Sequence, residues 1–439
     1  MIVKQFEKTS RRLSRRHFLY LAGAGSLYLV AGCATHPVTG RSQFMLMSES
    51  QEIEVDKTNS PHQISADYGV VQDRNLNSYV AGVGQDIASK SHRPQMPYSF
   101  NTLNAPYINA YAFPGGTIGI TRGILLELQD EAELASLIGH EVGHVTARHT
   151  AQRMTRGMLA SLVFAGAAAA AGPQWEGVVA GLGNIGAGAL LASYSRNQER
   201  EADELGLEYM ARSDYNPEGF IGLMKMLKEL SGEDRAALDL LFSTHPMSSE
   251  RYQTAVNRVR SDYAKNSKPL YRERYMDNTA GLRKIKKAVQ EMQAGDDLMM
   301  QEQRQKARQS YDSALRAAPG DYAANLKMAK CLLSLENSSE AKKFARAAHE
   351  IYPREPQSRH VMGIACIREN NYEQALEEFS AYHEQLPGNP NTVFFQGYSL
   401  EGMSRRSQAA QKYSAYLQQV NQGQYAEHAY NRLQEWGYI

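Results

Sequence analysis

Cysteine is scarce: Cys33, Cys331 and Cys366 are the three in 439 residues, and they form neither close pairs nor a CxxC spacing. That excludes a disulfide-stapled module, a structural zinc cluster of thiolates and a dithiol redox centre. An excess of charge of one sign is also missing. The first 33 residues hold six of the 48 lysines and arginines and one of the 47 acids, which leaves 42 against 46 in the rest. A body with that balance has no basic face to neutralise phosphates, so nucleic acid is excluded as the general partner. Long, strongly apolar runs are lacking too. Residues 157–175 and 177–195 are uncharged arms of 19 residues each, but alanine and glycine dominate both, below the hydropathy of a membrane span. A membrane-embedded enzyme is thereby disfavoured, and the two arms read as a helical hairpin or lid with at most peripheral membrane contact.

What is present begins with an address. Lys4, Lys8, Arg11, Arg12, Arg15 and Arg16 precede an uncharged apolar run from Phe18 to Val30, the pattern of a secretory signal. Val30-Ala31-Gly32-Cys33 resembles a bacterial lipobox, which implies lipidation of Cys33. Ser14-Arg15-Arg16-His17-Phe18-Leu19 resembles a twin-arginine export signal. Residues 1–33 are thus read as a signal peptide with lipobox. The resemblance implies a bacterial periplasmic protein anchored through lipid, with Ala34 after the cysteine pointing to the outer membrane. Residues 34–63 then read as a tether.

The stretch from Tyr98 to Thr121 has strand character, with Gly115-Gly116 as a hairpin signal. Asp130 and Glu133 mark a capping-box-like helix start, and Leu134, Leu137, Ile138 and Val142 supply helical periodicity beyond it. His140 and His144 then lie one turn apart on one face, where both imidazoles can ligate one Zn²⁺. Glu141 beside them is placed to take a proton from an attacking water and pass it to a leaving amine. A third ligand is needed. Glu199 and Glu201 differ by about 200° around a helix, so one of them can face the metal. Asp203 shares the face of Glu199 and can hold the second nitrogen of a ligating histidine, which favours Glu199. His149, nine residues after His140, falls on the opposite side of an unbroken helix and is not expected to be a ligand.

HEVGH at 140–144 with SRNQEREAD at 195–203 resembles the gluzincin peptidases of the HtpX and CAAX-prenyl-protease type, over roughly residues 40–265. The resemblance implies one zinc ion on His140, His144 and Glu199. It also implies that His245, in Thr244-His245-Pro246, approaches the metal as a transition-state stabiliser or a self-inhibitory fourth ligand, and that Arg251 is a candidate for oxyanion stabilisation. The strand Asn109–Pro114 is a candidate edge for an extended substrate.

A period of 34 residues follows. Pro319, Pro353 and Pro387 keep it, as do Ala307, Ala341, Ala375 and Ala409, the set Gly295, Ala329, Gly363 and Gly397, and the set Tyr311, Ala345, Phe379 and Tyr413. This is the tetratricopeptide pattern, in which small residues let helices approach and aromatics fill the space between repeats. Four units fit residues 288–423, with a capping helix after them. Cys366 falls at a core position of the repeat.

The expected architecture is an α+β zincin-type metallopeptidase domain, 64–270, mostly helical with a small antiparallel sheet, followed by an all-α tetratricopeptide-repeat solenoid, 271–439. The combination of export signal, gluzincin core and repeats resembles cell-envelope proteases that act on unfolded or misassembled outer-membrane proteins alongside the machinery that assembles them. The alternative is a chaperone or scaffold in which the repeats do the main work and the protease site is gated or nearly silent.

Overall fold

A computed structural model describes residues 33–156, 193–231, 236–265 and 268–439. The expected export signal up to Gly32 and the stretch 157–192, most of the expected hairpin or lid, lie outside the described residues.

The chain opens with β1 (Cys33–Thr35) and β2 (Ser42–Phe44), which pair antiparallel with Cys33 opposite Phe44. Helix α1 (Glu49–Ala66) follows, started by a capping box between Ser48 and Gln51. Helix α2 (Arg74–Ser89) has Asp73 as its cap and buries Leu76, Val80, Val83 and Ile87 along one face. Each such side chain contributes about 1.5–3 kcal/mol on leaving water. These residues pack under a three-stranded sheet of β3 (Ser99–Leu103), β4 (Ala110–Ala112) and β5 (Thr117–Thr121) in the order β3–β5–β4. The sheet expected to be antiparallel is mixed. β4 and β5 run antiparallel through the turn at Gly115-Gly116, where Gly116 takes φ 106°, whereas β3 is parallel to β5. A tight turn fixes the direction only of the two strands it joins. β3 reverses into β4 through residues 104–109 and lies on the other side of β5, which makes that second pair parallel.

Helix α3 (Arg122–Glu127) leads to α4 (Glu131–Thr146), every residue of which is buried. Asp130 Oδ1 accepts the amide of Glu133 at 2.9 Å, while the Glu133 carboxylate reaches back to the amide of Gln129. Around α4 lie α5 (Arg196–Arg212), α6 (Glu218–Leu230), α7 (Ala236–Thr244) and α8 (Ser249–Asp262).

Two short helices, α9 (Arg272–Asn278) and α10 (Ala280–Lys284), lead to four helix pairs: α11 (Lys286–Met300) with α12 (Arg304–Ala317), α13 (Tyr322–Ser334) with α14 (Ser338–Ile351), α15 (Gln357–Arg368) with α16 (Tyr372–Gln385), and α17 (Pro390–Gly402) with α18 (Arg406–Leu417). Helix α19 (Gln424–Glu435) covers the last pair. Cys331 and Cys366 are buried as free thiols within this array.

The stretch 34–63 is not a tether. Met45 and Met47 are buried against Leu103, Tyr111 and Phe113. Glu52, wholly buried, accepts from Arg93 at 2.8 Å and Arg148 at 2.9 Å, and Asp56 accepts the amide of Thr117 at 2.9 Å. The polar composition that read as a leash supplies buried counter-charges to the body that follows it. Its hydrophobic signal was weak because α1 docks through ion pairs, not through an apolar stripe.

The repeats are fused to that body. One continuous apolar core includes Leu76 and Ile138 on one side and Ala307, Leu326 and Ala365 on the other. Arg122 of α3 is buried and donates twice to Asp321, the cap of α13, at 2.5 and 3.0 Å. Helix α7 packs on α11, and the end of α1 meets the repeats where Ser65 bonds the buried Glu355.

Candidate metal centre

Helices α4 and α5 cross at glycine. A Cβ on Gly206 would lie 2.7 Å from the backbone nitrogen of His140 and 2.9 Å from the carbonyl carbon of Gly139. The backbones therefore come close enough for short side chains on each helix to meet. Gly206→Ala is expected to force the helices apart, lowering stability by about 1–3 kcal/mol and lowering metal occupancy with it. Equilibrium unfolding and metal content check this; a variant unchanged in both would sink the argument.

His140 and His144 project from adjacent turns with their Nε2 atoms 3.0 Å apart. Glu199, in the first turn of α5 after the Ser195–Gln198 capping box, places Oε1 3.3 Å from His144 Nε2 and Oε2 3.6 Å from His140 Nε2. His245, one residue past α7, sets Nδ1 3.3 Å from His140 Nε2 and 3.2 Å from Glu199 Oε1. One donor atom from each of these four buried residues lies within 4.8 Å of the others. Glu141 is also buried, its Oε1 3.8 Å from His245 Nε2.

The donors fit a metal ion. Three imidazole nitrogens and a carboxylate converge, and His245 Nε2 and Glu141 Oε2 are buried without a hydrogen-bond partner. Burial pushes His144 well below its ordinary pKa, which leaves a neutral ring with a free lone pair. Burial alone would raise Glu199, but His245, His140 and the bond to His144 hold it well below the usual carboxylate range. Burial pushes the Glu141 carboxyl up, against the pull of His245 and His140.

Asp203 lies 2.9 Å from His140 Nδ1. Arg251 lines the recess beside His140, Glu141 and His245 and pairs there with two carboxylates. Its Nε and Nη2 each donate to Asp203 at 2.7 Å, and its Nη1 lies 2.7 Å from Glu199 Oε2 and donates to the Pro246 carbonyl at 2.9 Å. The guanidinium holds two carboxylates and the turn after His245. Glu201 lies outside the cluster of four donors and bonds His149 at 3.2 Å.

Two further side chains touch His144: Tyr194, which sequence reasoning missed, and His149, which stays outside the donor cluster as expected. Tyr194 stacks on His144 with ring centroids 3.8 Å apart, and its backbone amide donates to Thr244 at 3.1 Å. His149 touches His144, Nδ1 to Nδ1, at 2.9 Å. No spacing rule flagged Tyr194; His149 was misplaced because α4 breaks before it, with Arg148 at φ 59°.

The cleft is closed. A small apolar recess lined by Leu137, Leu223, Leu227 and Phe242 adjoins His140, Glu141 and His245. β4 is an edge strand, as expected, but its residues are buried, and the Ile108 amide just before it donates to the Ala237 carbonyl in α7 at 2.9 Å. The segment that carries His245 therefore also covers the approach to the edge.

Residues 74–259 match peptidase family M48, and residues 298–363 match a tetratricopeptide repeat family. The chain is 28% identical over 250 residues to the beta-barrel assembly-enhancing protease of Yersinia pestis, covering 54% of this chain and 50% of that one. To the protein of that name from Escherichia coli K12 it is 28% identical over 232 residues, 51% and 47% of the two chains. To the mitochondrial metalloendopeptidase OMA1 of Schizosaccharomyces pombe it is 27% identical over 263 residues, 57% and 74%. The chain spans about half the length of the first two relatives. No helix among the described residues is long and apolar enough to cross a membrane.

Proposed function

From a chain that carries a peptidase family M48 domain followed by tetratricopeptide repeats, we propose a zinc-dependent endopeptidase of the bacterial cell envelope, self-gated at rest. The observation that carries the proposal is the convergence of His140, His144, Glu199 and His245 with the carboxylate of Glu141 buried beside them.

In this reading His140, His144 and Glu199 hold one zinc ion. When bound there, zinc would supply Lewis-acid chemistry toward water and the scissile carbonyl. Glu141 takes the proton of the attacking water and delivers it to the departing amine. Burial serves this role, because a carboxylate shielded from solvent gains more from accepting that proton. Asp203 and Arg251 fix His140 and Glu199, and the edge of β4 receives the substrate backbone once α7 moves. The repeats, whose concave face is suited to extended segments, recruit unfolded or misassembled proteins or the machinery that assembles them. The names of the relatives, beta-barrel assembly-enhancing protease, support β-barrel proteins as that substrate class. A lipid on Cys33 would hold the enzyme at the membrane.

The closed cleft gives weight to a second reading, in which the chain serves as a scaffold while the site stays silent. Measuring zinc content together with cleavage of an unfolded protein separates the two. His245→Ala is expected to keep about one zinc and to raise cleavage roughly tenfold, as for a site open about a tenth of the time. A fall in cleavage would assign His245 to transition-state stabilisation. Zinc with no cleavage in either form would favour the scaffold.

A further inference from the structure

We infer that His149 and Glu201 form a positioning relay for the metal ligand His144, pinned from the amino-terminal side by His36. The inference rests on the metallopeptidase reading and deepens it.

The relay follows from tautomers. An imidazole that gives the Nε2 lone pair to a metal keeps its proton on Nδ1. His144 Nδ1–H therefore donates, and its partner is His149 Nδ1 at 2.9 Å. His149 then carries its own proton on Nε2, which lies 3.2 Å from Glu201 Oε2. The other oxygen of Glu201 lies 3.3 Å from His36 Nε2. His36 Nδ1 is already an acceptor, for the amides of Val38 and Thr39 at 3.3 Å each, so its proton is also on Nε2. Each ring thus has one donor and one acceptor in use, and the series ends on a carboxylate that receives from both sides.

His140 has its carboxylate, Asp203, in direct reach. His144 obtains the equivalent through one intervening imidazole. The two acids on opposite sides of α5 then have matched tasks: Asp203 supports one ligand from the metal-facing side and Glu201 the other from behind. The turn at Arg148 makes this possible by swinging His149, fully buried, back against the helix it has just left. A carboxylate at the end of such a relay fixes the ring orientation of His144 and strengthens it as a donor.

The test uses the full-length chain and zinc alone, competed against a chromophoric chelator, with the visible spectrum of the cobalt-substituted protein as a second readout. Glu201 is one-third exposed, so Glu201→Gln removes the charge with little risk to folding. It is expected to weaken zinc binding about tenfold and to shift the cobalt bands, and His149→Ala to weaken it by up to about a hundredfold. Glu208→Gln, farther along the same helix and paired with Arg212, is the control expected to change neither. Wild-type affinity and spectrum in Glu201→Gln would overturn the relay, as would a lowered thermal midpoint with zinc affinity unchanged. A wild-type chain that binds no zinc would instead remove the metallopeptidase reading and the relay with it.

Discussion

Glu141→Gln is expected to bind zinc as the wild type does and to cleave an unfolded protein about 10²–10⁴ times more slowly. The amide has the shape of the carboxylate but cannot accept the proton of the attacking water. The substitution breaks little else: Glu141 Oε2 has no hydrogen-bond partner, and Oε1 is 3.8 Å from His245. Its effect should therefore fall on turnover and not on metal content or unfolding midpoint. Cleavage persisting at the wild-type rate would remove Glu141 from the chemistry. Combined with His245→Ala, the substitution should also abolish the extra activity of the opened site, since releasing a gate does not replace a base.

The largest expected change in stability is at the junction of the two parts. Arg122→Met leaves Asp321 buried without its counter-ion, which should destabilise the protein by about 3–5 kcal/mol near neutral pH. Asp321→Asn added to it keeps the helix cap and removes the stranded charge, so the double variant should recover much of the loss. The pH dependence has a definite sign. In the wild type burial alone would raise Asp321, but Arg122 and the cap amides hold it below the ordinary carboxylate value. Its folded pKa is thus depressed, and the stability it contributes is present above the unfolded value of about 3.9 and lost as pH falls through the folded one. In Arg122→Met burial is opposed by the cap amides alone and Asp321 rises, so that variant should gain on the wild type as pH falls. Urea unfolding of both chains from pH 7 to pH 4 reads this out; a gap that widens on acidification would contradict the pairing.

The repeats were legible because their lattice is made of side-chain size. A Cβ on Gly295, Gly363 or Gly397 would come within 2.8 Å of Tyr311, Phe379 or Tyr413, the aromatic partners set by the 34-residue register. The backbone keeps the same register in a form the composition hid. Glu302, Glu336, Asn370 and Ser404, 34 apart, all take positive φ near 60° between the helices of a pair. Glutamate and serine carry no signal for that conformation, which tertiary packing imposes.

At the metal centre, His140, Glu141 and His144 were readable because one helix sets all three, and the choice of Glu199 over Glu201 followed from the angle between them. What failed was extrapolation past a helix end. Counting 100° per residue sent His149 away from His144, and the left-handed turn at Arg148 returned it. The ion pairs of Arg251 went unseen for a different reason. Its role depends on a pair of acids four residues apart on another helix, a relation that no spacing in its own segment encodes.

For a chain lipidated at Cys33, the docking of the amino-terminal segment would set the working height of the enzyme. A free leash of 30 residues would let the body roam roughly 30 Å from its anchor, and up to about 100 Å at full stretch. Here Cys33 already begins a paired strand, and His36, three residues on, rests against Glu201 beside the metal ligands. An acyl chain on Cys33 would therefore hold the metal centre close above the headgroups with almost no slack. Chains emerging at the bilayer surface would be within its range, and those adrift in the surrounding solution would have to come to it.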